Sequence, residues 1–255
     1  MGEAGVTWPA PVLLGATAST NDDARRLALE GAPEGTCVVA EEQTAGRGRL
    51  DRTWSSPAGA GLWASFVIRA GDVPRDRWSL LSLAAGLAAV DALAEGCRVR
   101  AELKWPNDVV VVAAACGGDG GLRKIGGILS EAVGDDAIVV GIGLNVDQGS
   151  AELAALSVKA SSVMLEGGRP DRPALLVSLM GAMERRVGQW RSGDLAMMGD
   201  YRAVCTTIGR LVSVDLPAGT VSGHVSGIDD DGHLLVSDGE ATTRITSGDV
   251  IHATI

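Results

Sequence analysis

The sequence predicts an α+β protein: a mixed β-sheet flanked by helices, followed by a small β-barrel. Three observations carry this. Apolar residues recur at helical spacing at Leu80, Leu83, Leu87, Val90 and Ala94, and again at Leu175, Leu176, Leu179, Met183, Val187 and Trp190. Strand-like runs lie before, between and after these stripes. From about Thr207 the character changes to short β-type runs separated by tight turns, the pattern of a small barrel. The expected division is a larger domain over residues 1–206 and a β domain over residues 207–255.

Residues 1–15 are marked by Pro and Gly and read as extended. Ser19-Thr20-Asn21, followed by Asp22-Asp23, reads as a helix start, with Ala24, Leu27 and Ala28 as its apolar stripe. Cys37 to Glu42 and Gly61 to Arg69 read as strands. Pro74 is expected to open the long helix through Ala94, because its missing N–H costs nothing in a first turn. Strands follow at Ala101–Trp105 and Val109–Ala114, with a Gly117–Gly121 turn leading into Lys124–Val133, then Ile138–Gly143. Asp171 and Pro173 start the second long helix, and a shorter one covers Leu195–Val204. The final strands are expected at Leu211–Leu216, Thr220–Ile228, Leu234–Val236, Thr242–Ile245 and Val250–His252.

Composition narrows the function classes. A net charge of −10 argues against a general nucleic-acid surface, which needs basic residues spread over a face. Cys37, Cys97, Cys116 and Cys205 show no paired spacing and read as reduced thiols. His224, His233 and His252 show no metal-ligand spacing. No signal peptide opens the sequence, and the apolar run Val109–Cys116 is too short to span a bilayer, so a cytoplasmic protein without membrane contact is expected.

Against this acidic background, Gln43–Trp54 stands out, with Arg47, Arg49 and Arg52 set among Gly46 and Gly48. Glycines let backbone approach a ligand, and guanidinium forks suit phosphate oxygens. Trp54 offers a ring face for a base. The segment is neither a Walker A loop nor a dinucleotide fingerprint, and a solvated surface turn is the alternative. Lys104-Trp105-Pro106-Asn107-Asp108 places an amide and a carboxylate at a strand junction, although Pro-Asn-Asp is also an ordinary turn. Lys124-Ile125-Gly126-Gly127-Ile128-Leu129 sets a cation beside bare backbone, and Gly141-Ile142-Gly143-Leu144-Asn145 ends a strand in glycines and an amide. Ser19-Thr20-Asn21 can cap a helix and present its free N–H groups to a ligand.

Taken together, in this order and spacing, the five segments closely resemble the biotin–protein ligase family, over nearly the whole chain. The resemblance implies a fold of the class II synthetase and biotin–lipoate ligase type, with an SH3-like C-terminal barrel. It implies activation of biotin by ATP and Mg²⁺ to biotinyl-5′-AMP, then transfer to a lysine of a biotin carboxyl carrier protein. In this likeness Ser19, Thr20, Asn21, Gln43, Gly46, Arg47, Gly127, Leu129 and Gly141 serve biotin, with Arg47 in the loop that covers it. Arg49, Arg52, Trp54, Asn107, Lys124 and Asn145 serve ATP, Asp108 the metal, and Lys124, Arg49 and Arg47 the chemistry.

The sequence also departs from the family. Ser19 lies too near the start to leave room for the winged helix of family members that repress transcription, so no DNA partner is expected. Asp51 stands where glycine is common, and Trp63 where tyrosine is more usual. The segment between Asp108 and Lys124 is long. A homodimer is compatible with the sequence. The rival readings are a lipoate–protein ligase and a non-catalytic biotin- or nucleotide-binding module.

Overall fold

The structure, a computed structural model, describes residues 7–50, 52–112, 121–156, 158–216, 219–246 and 248–252. Asp51 and the segment 113–120, including Cys116, lie outside the described residues. The chain first forms β1 (Val12–Thr17), α1 (Thr20–Leu29), β2 (Cys37–Gln43) and β3 (Gly61–Arg69). It continues through α2 (Leu80–Cys97), β4 (Glu102–Lys104), β5 (Asp108–Val112), β6 (Leu122–Val133) and β7 (Ala137–Asn145). These seven strands make one sheet in the order β1-β2-β3-β7-β6-β5-β4. Only β1 and β2 are parallel, joined by the crossover through α1, so the sheet is mixed as expected.

Both faces of the sheet are covered, and β3 shows how. Leu62, Ala64, Phe66 and Ile68 belong to the core shared with α2 and α4 (Arg172–Ser192). Alternation turns Trp63, Ser65 and Val67 to the other face, where Val67 packs with Ala24 and Ala28 of α1. With both faces buried, the strand reads as a continuous apolar run rather than an alternating one.

Helix α2 is apolar on most sides, with Asp91 and Glu95 pairing with Arg186 and Arg185. With the turn before it, Arg75–Cys97 is long and apolar enough to cross a membrane by length and composition, yet 67% of that window is buried within the protein. Such a helix belongs to a core enclosed by neighbours, here the sheet and α4. The helix does not open at Pro74 as expected. Residues Arg75–Arg77 form a 3₁₀ turn instead, and Trp78 folds back so that its Nε1 donates to the Val73 carbonyl at 3.0 Å. Helix α4 does start as read: the Asp171 carboxylate accepts from the Ala174 N–H at 2.9 Å. A five-residue helix, α3 (Ser150–Ala154), was not anticipated; α5 (Ala196–Ala203) was.

The last segment forms β8 (Leu211–Leu216), β9 (Gly219–Ile228), β10 (Leu234–Ser237), β11 (Thr242–Ile245) and β12 (Asp249–His252). They make a second, wholly antiparallel sheet in the order β11-β10-β9-β8-β12. Its inward residues, among them Val212, Val214, Leu234 and Ile245, join the main apolar core, so one core runs through both sheets. In the turn between β9 and β10, Asp229, Asp231 and His233 bring ligand-type atoms within 4.8 Å of one another, a grouping their spacing did not suggest. Arg244 ties up both carboxylates at 2.6 and 2.5 Å.

The reduced-thiol reading has a direct check. Cys37, Cys97 and Cys205 are free and buried, and burial pushes the Cys37 thiol up to about 12. Brief alkylation of the native protein at pH 8, mapped by peptide mass spectrometry, should leave these three unmodified, and all three should react once the chain is unfolded.

Candidate active site

Strands β6 and β7 create the site by what they lack. Gly127, Gly141 and Gly143 lie side by side on the face opposite the main core, in a row with Trp63 and Ser65 of β3. Each is covered closely. A Cβ on Gly141 would collide with the Asn21 amide, and one on Gly143 would stand 2.6 Å from Trp54 Nε1. One on Gly127 would meet the Trp54 ring at 3.2 Å and the Lys124 stem at 3.3 Å. Above this bare floor is a cavity of about 370 Å³, within the range common for small-molecule sites.

Every candidate residue except Gly46 lines that cavity. Ser19, Thr20 and Asn21 arrive on the first turn of α1, Gln43 at the end of β2, and Arg47, Arg49, Arg52 and Trp54 on the segment that follows. Asn107 and Asp108 come from the β4–β5 junction, Lys124, Gly127 and Leu129 from β6, and Gly141 and Asn145 from β7. Gly46 is instead buried behind the wall. A Cβ there would stand 2.5 Å from the Trp54 carbonyl and 2.9 Å from Ser56 Oγ, so close packing, and not ligand contact, demands the glycine.

The Gly/Arg segment is a folded hairpin. Bridges pair Gln43 with Ser56 and Arg47 with Thr53, and the Trp54 N–H donates to the Gly46 carbonyl at 2.9 Å. Trp54 therefore turns inward onto the glycine floor, edge-on to Trp63 at 6.5 Å, with Lys124 Nζ 5.2 Å from its ring centroid. On one flank Arg49 donates to Asn107 Oδ1 at 3.2 Å. On the other, Arg47 pairs with Asp22 at 2.9 Å and Glu131 at 3.2 Å. Partial burial alone would lower the Arg47 pKa, but these two carboxylates raise it above its ordinary value.

A polar network stands behind the cavity wall. Gln43 Oε1 accepts from the Thr20 N–H at 2.9 Å and its hydroxyl at 3.0 Å, while Gln43 Nε2 donates to Ser56 Oγ at 2.8 Å. Ser65 Oγ, fully buried, lies 2.7 Å from Thr20 Oγ1 and 2.6 Å from Asn21 Oδ1. Asn21 Nδ2 donates to Glu131 at 2.6 Å. Ser19 occupies the N-cap position of α1, but its side chain makes no capping hydrogen bond; it is buried at the cavity instead. Sequence reasoning missed Ser65, Glu131 and Asp22, which carried no signal beyond a serine in a strand and acids on polar faces. Gly143 stood inside a quoted motif without being singled out.

Lys124 and Asp108 face each other across β5 and β6, with Nζ 2.5 Å from Oδ1 and both side chains about three-quarters buried. Asp108 is the one carboxylate among the described lining residues, against Arg47, Arg49, Arg52, Lys104 and Lys124. The cavity is thus built for an anionic ligand. At its far end Asn145 is buried, donating to the Ser161 carbonyl at 3.0 Å and accepting from Gln148 at 3.2 Å. The Asn107 turn is held by the second sheet's segment. Trp105 N–H donates to Thr207 Oγ1 at 3.0 Å, and Trp105 Nε1 to the Gly232 carbonyl at 2.9 Å. The Trp105–Pro106 peptide is cis.

Residues 14–147 match the biotin/lipoate A/B protein ligase family, and residues 207–253 match the biotin protein ligase C terminal domain. The biotin–[acetyl-CoA-carboxylase] ligase of Mycobacterium tuberculosis is 40% identical, over 98% of this chain and 91% of that protein. The bifunctional ligase/repressor BirA of Bacillus subtilis is 31% identical, over 91% of this chain and 70% of that one. Among solved structures, biotin protein ligase from Aquifex aeolicus in complex with biotin and ATP matches with a TM-score of 0.81 at 26% identity, covering 96% of this chain and 100% of its own. With both segments matched and nearly the whole length shared with such relatives, the chain belongs to the biotin/lipoate A/B protein ligase family, among its biotin protein ligases.

Proposed function

We propose that this protein activates biotin with ATP to biotinyl-5′-AMP and passes the biotin to a lysine of a biotin carboxyl carrier domain. One observation carries the reading: a single cavity gathers the Gly/Arg hairpin, Lys124, Asp108 and the glycine floor, with cations in excess. Residues 1–206 would be the catalytic unit and residues 207–255 a unit that buttresses it through Trp105. The reduced, buried cysteines agree with a cytoplasmic setting.

In the first step a biotin carboxylate oxygen attacks the α-phosphorus. A C–O–P linkage forms and the bond to pyrophosphate breaks. Negative charge gathers on both sides of the reacting phosphorus, so fixed cations aimed at it lower the barrier. Lys124, Arg49 and Arg52 are read in that role, and no side-chain nucleophile is needed. For Mg²⁺ the donor set fits. A single lining carboxylate, Asp108, suits an ion that keeps most of its shell as water and phosphate oxygen. When bound, the ion would neutralise phosphate charge. In the second step the carrier's neutral amine attacks the carbonyl carbon, AMP leaves, and the nitrogen loses a proton as the amide forms. Hydrolysis of the mixed anhydride competes, which gives the hairpin over the cavity its purpose.

The assignment is tested by incubating an apo carrier domain with the protein, MgATP and either biotin or lipoate. Intact-mass analysis should show the gain of one biotin. A gain with lipoate alone would make this a lipoate ligase, and no pyrophosphate release with either acid would make it a binding module. Lys124→Ala should slow pyrophosphate release by about 10²–10³-fold, the usual cost of removing one preorganised charge-stabilising group, with the thermal melt of a folded protein retained. Gly143→Ala should push Trp54 off the floor, lowering stability by ~1–3 kcal/mol as overpacking does and weakening biotin binding in calorimetry.

A further inference from the structure

The Arg47 pairs do something the reaction chemistry does not require. Arg47 reaches out of the hairpin and ties it to two separate elements. It meets Asp22 in the first turn of α1 (2.9 Å) and Glu131 on β6 (3.2 Å), and Glu131 is in turn fixed by Asn21 Nδ2 at 2.6 Å. Neither Asp22 nor Glu131 lines the cavity, whereas Arg47 and Asn21 do. Both carboxylates therefore stand at the surface outside the cavity and bear on it only through the side chains they hold. Within the hairpin, the Gly48 N–H donates to the Arg52 carbonyl at 2.6 Å and the Trp54 N–H to Gly46. Those bonds shape the hairpin, and its base is anchored where the Thr44 and Ala45 N–H groups donate to the Thr17 and Ala18 carbonyls at 2.9 Å, so Arg47 acts on the part beyond that base. Arg49 ties it to Asn107 on the far side, but that guanidinium is read as a phosphate ligand and would be drawn away when ATP binds.

We propose that Asp22 and Glu131 are positioning residues that latch the hairpin over the cavity by gripping Arg47, and so keep the acyl-adenylate from escaping before transfer. The inference rests on the ligase reading above. The grip is adjustable by design of its exposure: the side chains of Arg47, Asp22 and Glu131 are 42%, 50% and 32% exposed. Ion pairs this wet are individually weak and screened by salt. Two of them on one guanidinium hold the limb shut on average, yet let it open often enough for substrates to enter. Asn21 links the latch to the floor, because its amide rests on Gly141 while its nitrogen holds Glu131.

The experiment measures release of labelled biotinyl-AMP from preloaded protein, by rapid filtration after a chase with unlabelled ligand, alongside the rate of adenylate formation. Glu131→Gln keeps an acceptor for Asn21 and removes the charge; Asp22→Asn removes the other. Release from the double variant should be faster by about three- to twentyfold, the range two exposed pairs support, with formation slowed less than about twofold. Each single variant should fall between. Raising salt from about 0.05 to about 0.5 M should speed release from the parent protein by a larger factor than from the double variant, since the ligand's own phosphate contacts are screened in both. Arg47→Met should add little to the release rate of the double variant, since both of its ion pairs are already lost there. An unchanged release rate in a folded double variant overturns the latch, as does a loss of formation that matches the gain in release. A parent protein that forms no adenylate overturns the ligase reading itself.

Discussion

The site depends on a patch of sheet with no side chains. Gly127, Gly141 and Gly143 form a strip across β6 and β7 on which other groups lie directly against backbone. Trp54 and Asn21 use that proximity, and each is held there by steric fit before any hydrogen bond is counted. Glycine in a strand interior is costly, because it gives up packing and backbone entropy. Here the cost is met by the opposite face of the same strands, where Ile128, Ile142 and Leu144 are buried in the main core. One pair of strands thus supplies rigidity on one side and space on the other. It also fixes the chemistry in register, with Lys124 near one end of β6 and Asn145 at the end of β7.

The second constraint is the hold of the small β-sheet on the Trp105 turn. Leu103 exchanges backbone hydrogen bonds with Val204 and Thr206, while the Trp105 N–H donates to Thr207 Oγ1 and its ring Nε1 to the Gly232 carbonyl. Asn107 completes the chain by donating to the Ile128 carbonyl at 3.0 Å. A short three-residue edge strand would otherwise be poorly placed to aim a carboxylate and an amide. The C-terminal segment is therefore best understood as part of the scaffold of the site, consistent with a core that passes through both sheets without a break.

The strands, the two long helices and the membership of the cavity were legible because periodicity, glycine and clustered charge are written in residue types. Gly61–Arg69 was bounded to the residue from its alternation, although the strand is buried on both faces. The start of α2 was misplaced because a local hydrogen bond, from Trp78 Nε1 to the Val73 carbonyl, and the 3₁₀ turn it closes compete with the preference of Pro74 for a helix's first turn. The hairpin's outline was readable, its order was not. Glycines next to arginines announce mobility, but Gly46 is a glycine for lack of room, and the pairing of Gln43 with Ser56 joins residues of no distinctive type. Ser65, Asp22 and Glu131 were invisible for the same reason. Their importance lies in which side chain they meet, and that is decided by the crossover of β1, α1 and β2.

Two sets of ion pairs at the cavity illustrate how position assigns a different task to the same chemistry. Lys124 and Asp108 meet inside the wall, each about three-quarters buried, where a charge attracts strongly and an unpaired one is penalised. On the proposed reading, an entering polyphosphate would compete for that lysine and an accompanying cation for that aspartate, so the pair would serve as a placeholder that keeps both groups oriented until ligand separates them. Arg47 with Asp22 and Glu131 lies at the surface, where each pair is weak and exchange with water is easy. Nothing that enters the cavity offers those two carboxylates a better partner. On the proposed reading the buried pair is the one that substrate binding would break, and the exposed pairs are the ones that would outlast it. This is the order needed if the cavity is to accept charge first and close over it afterwards.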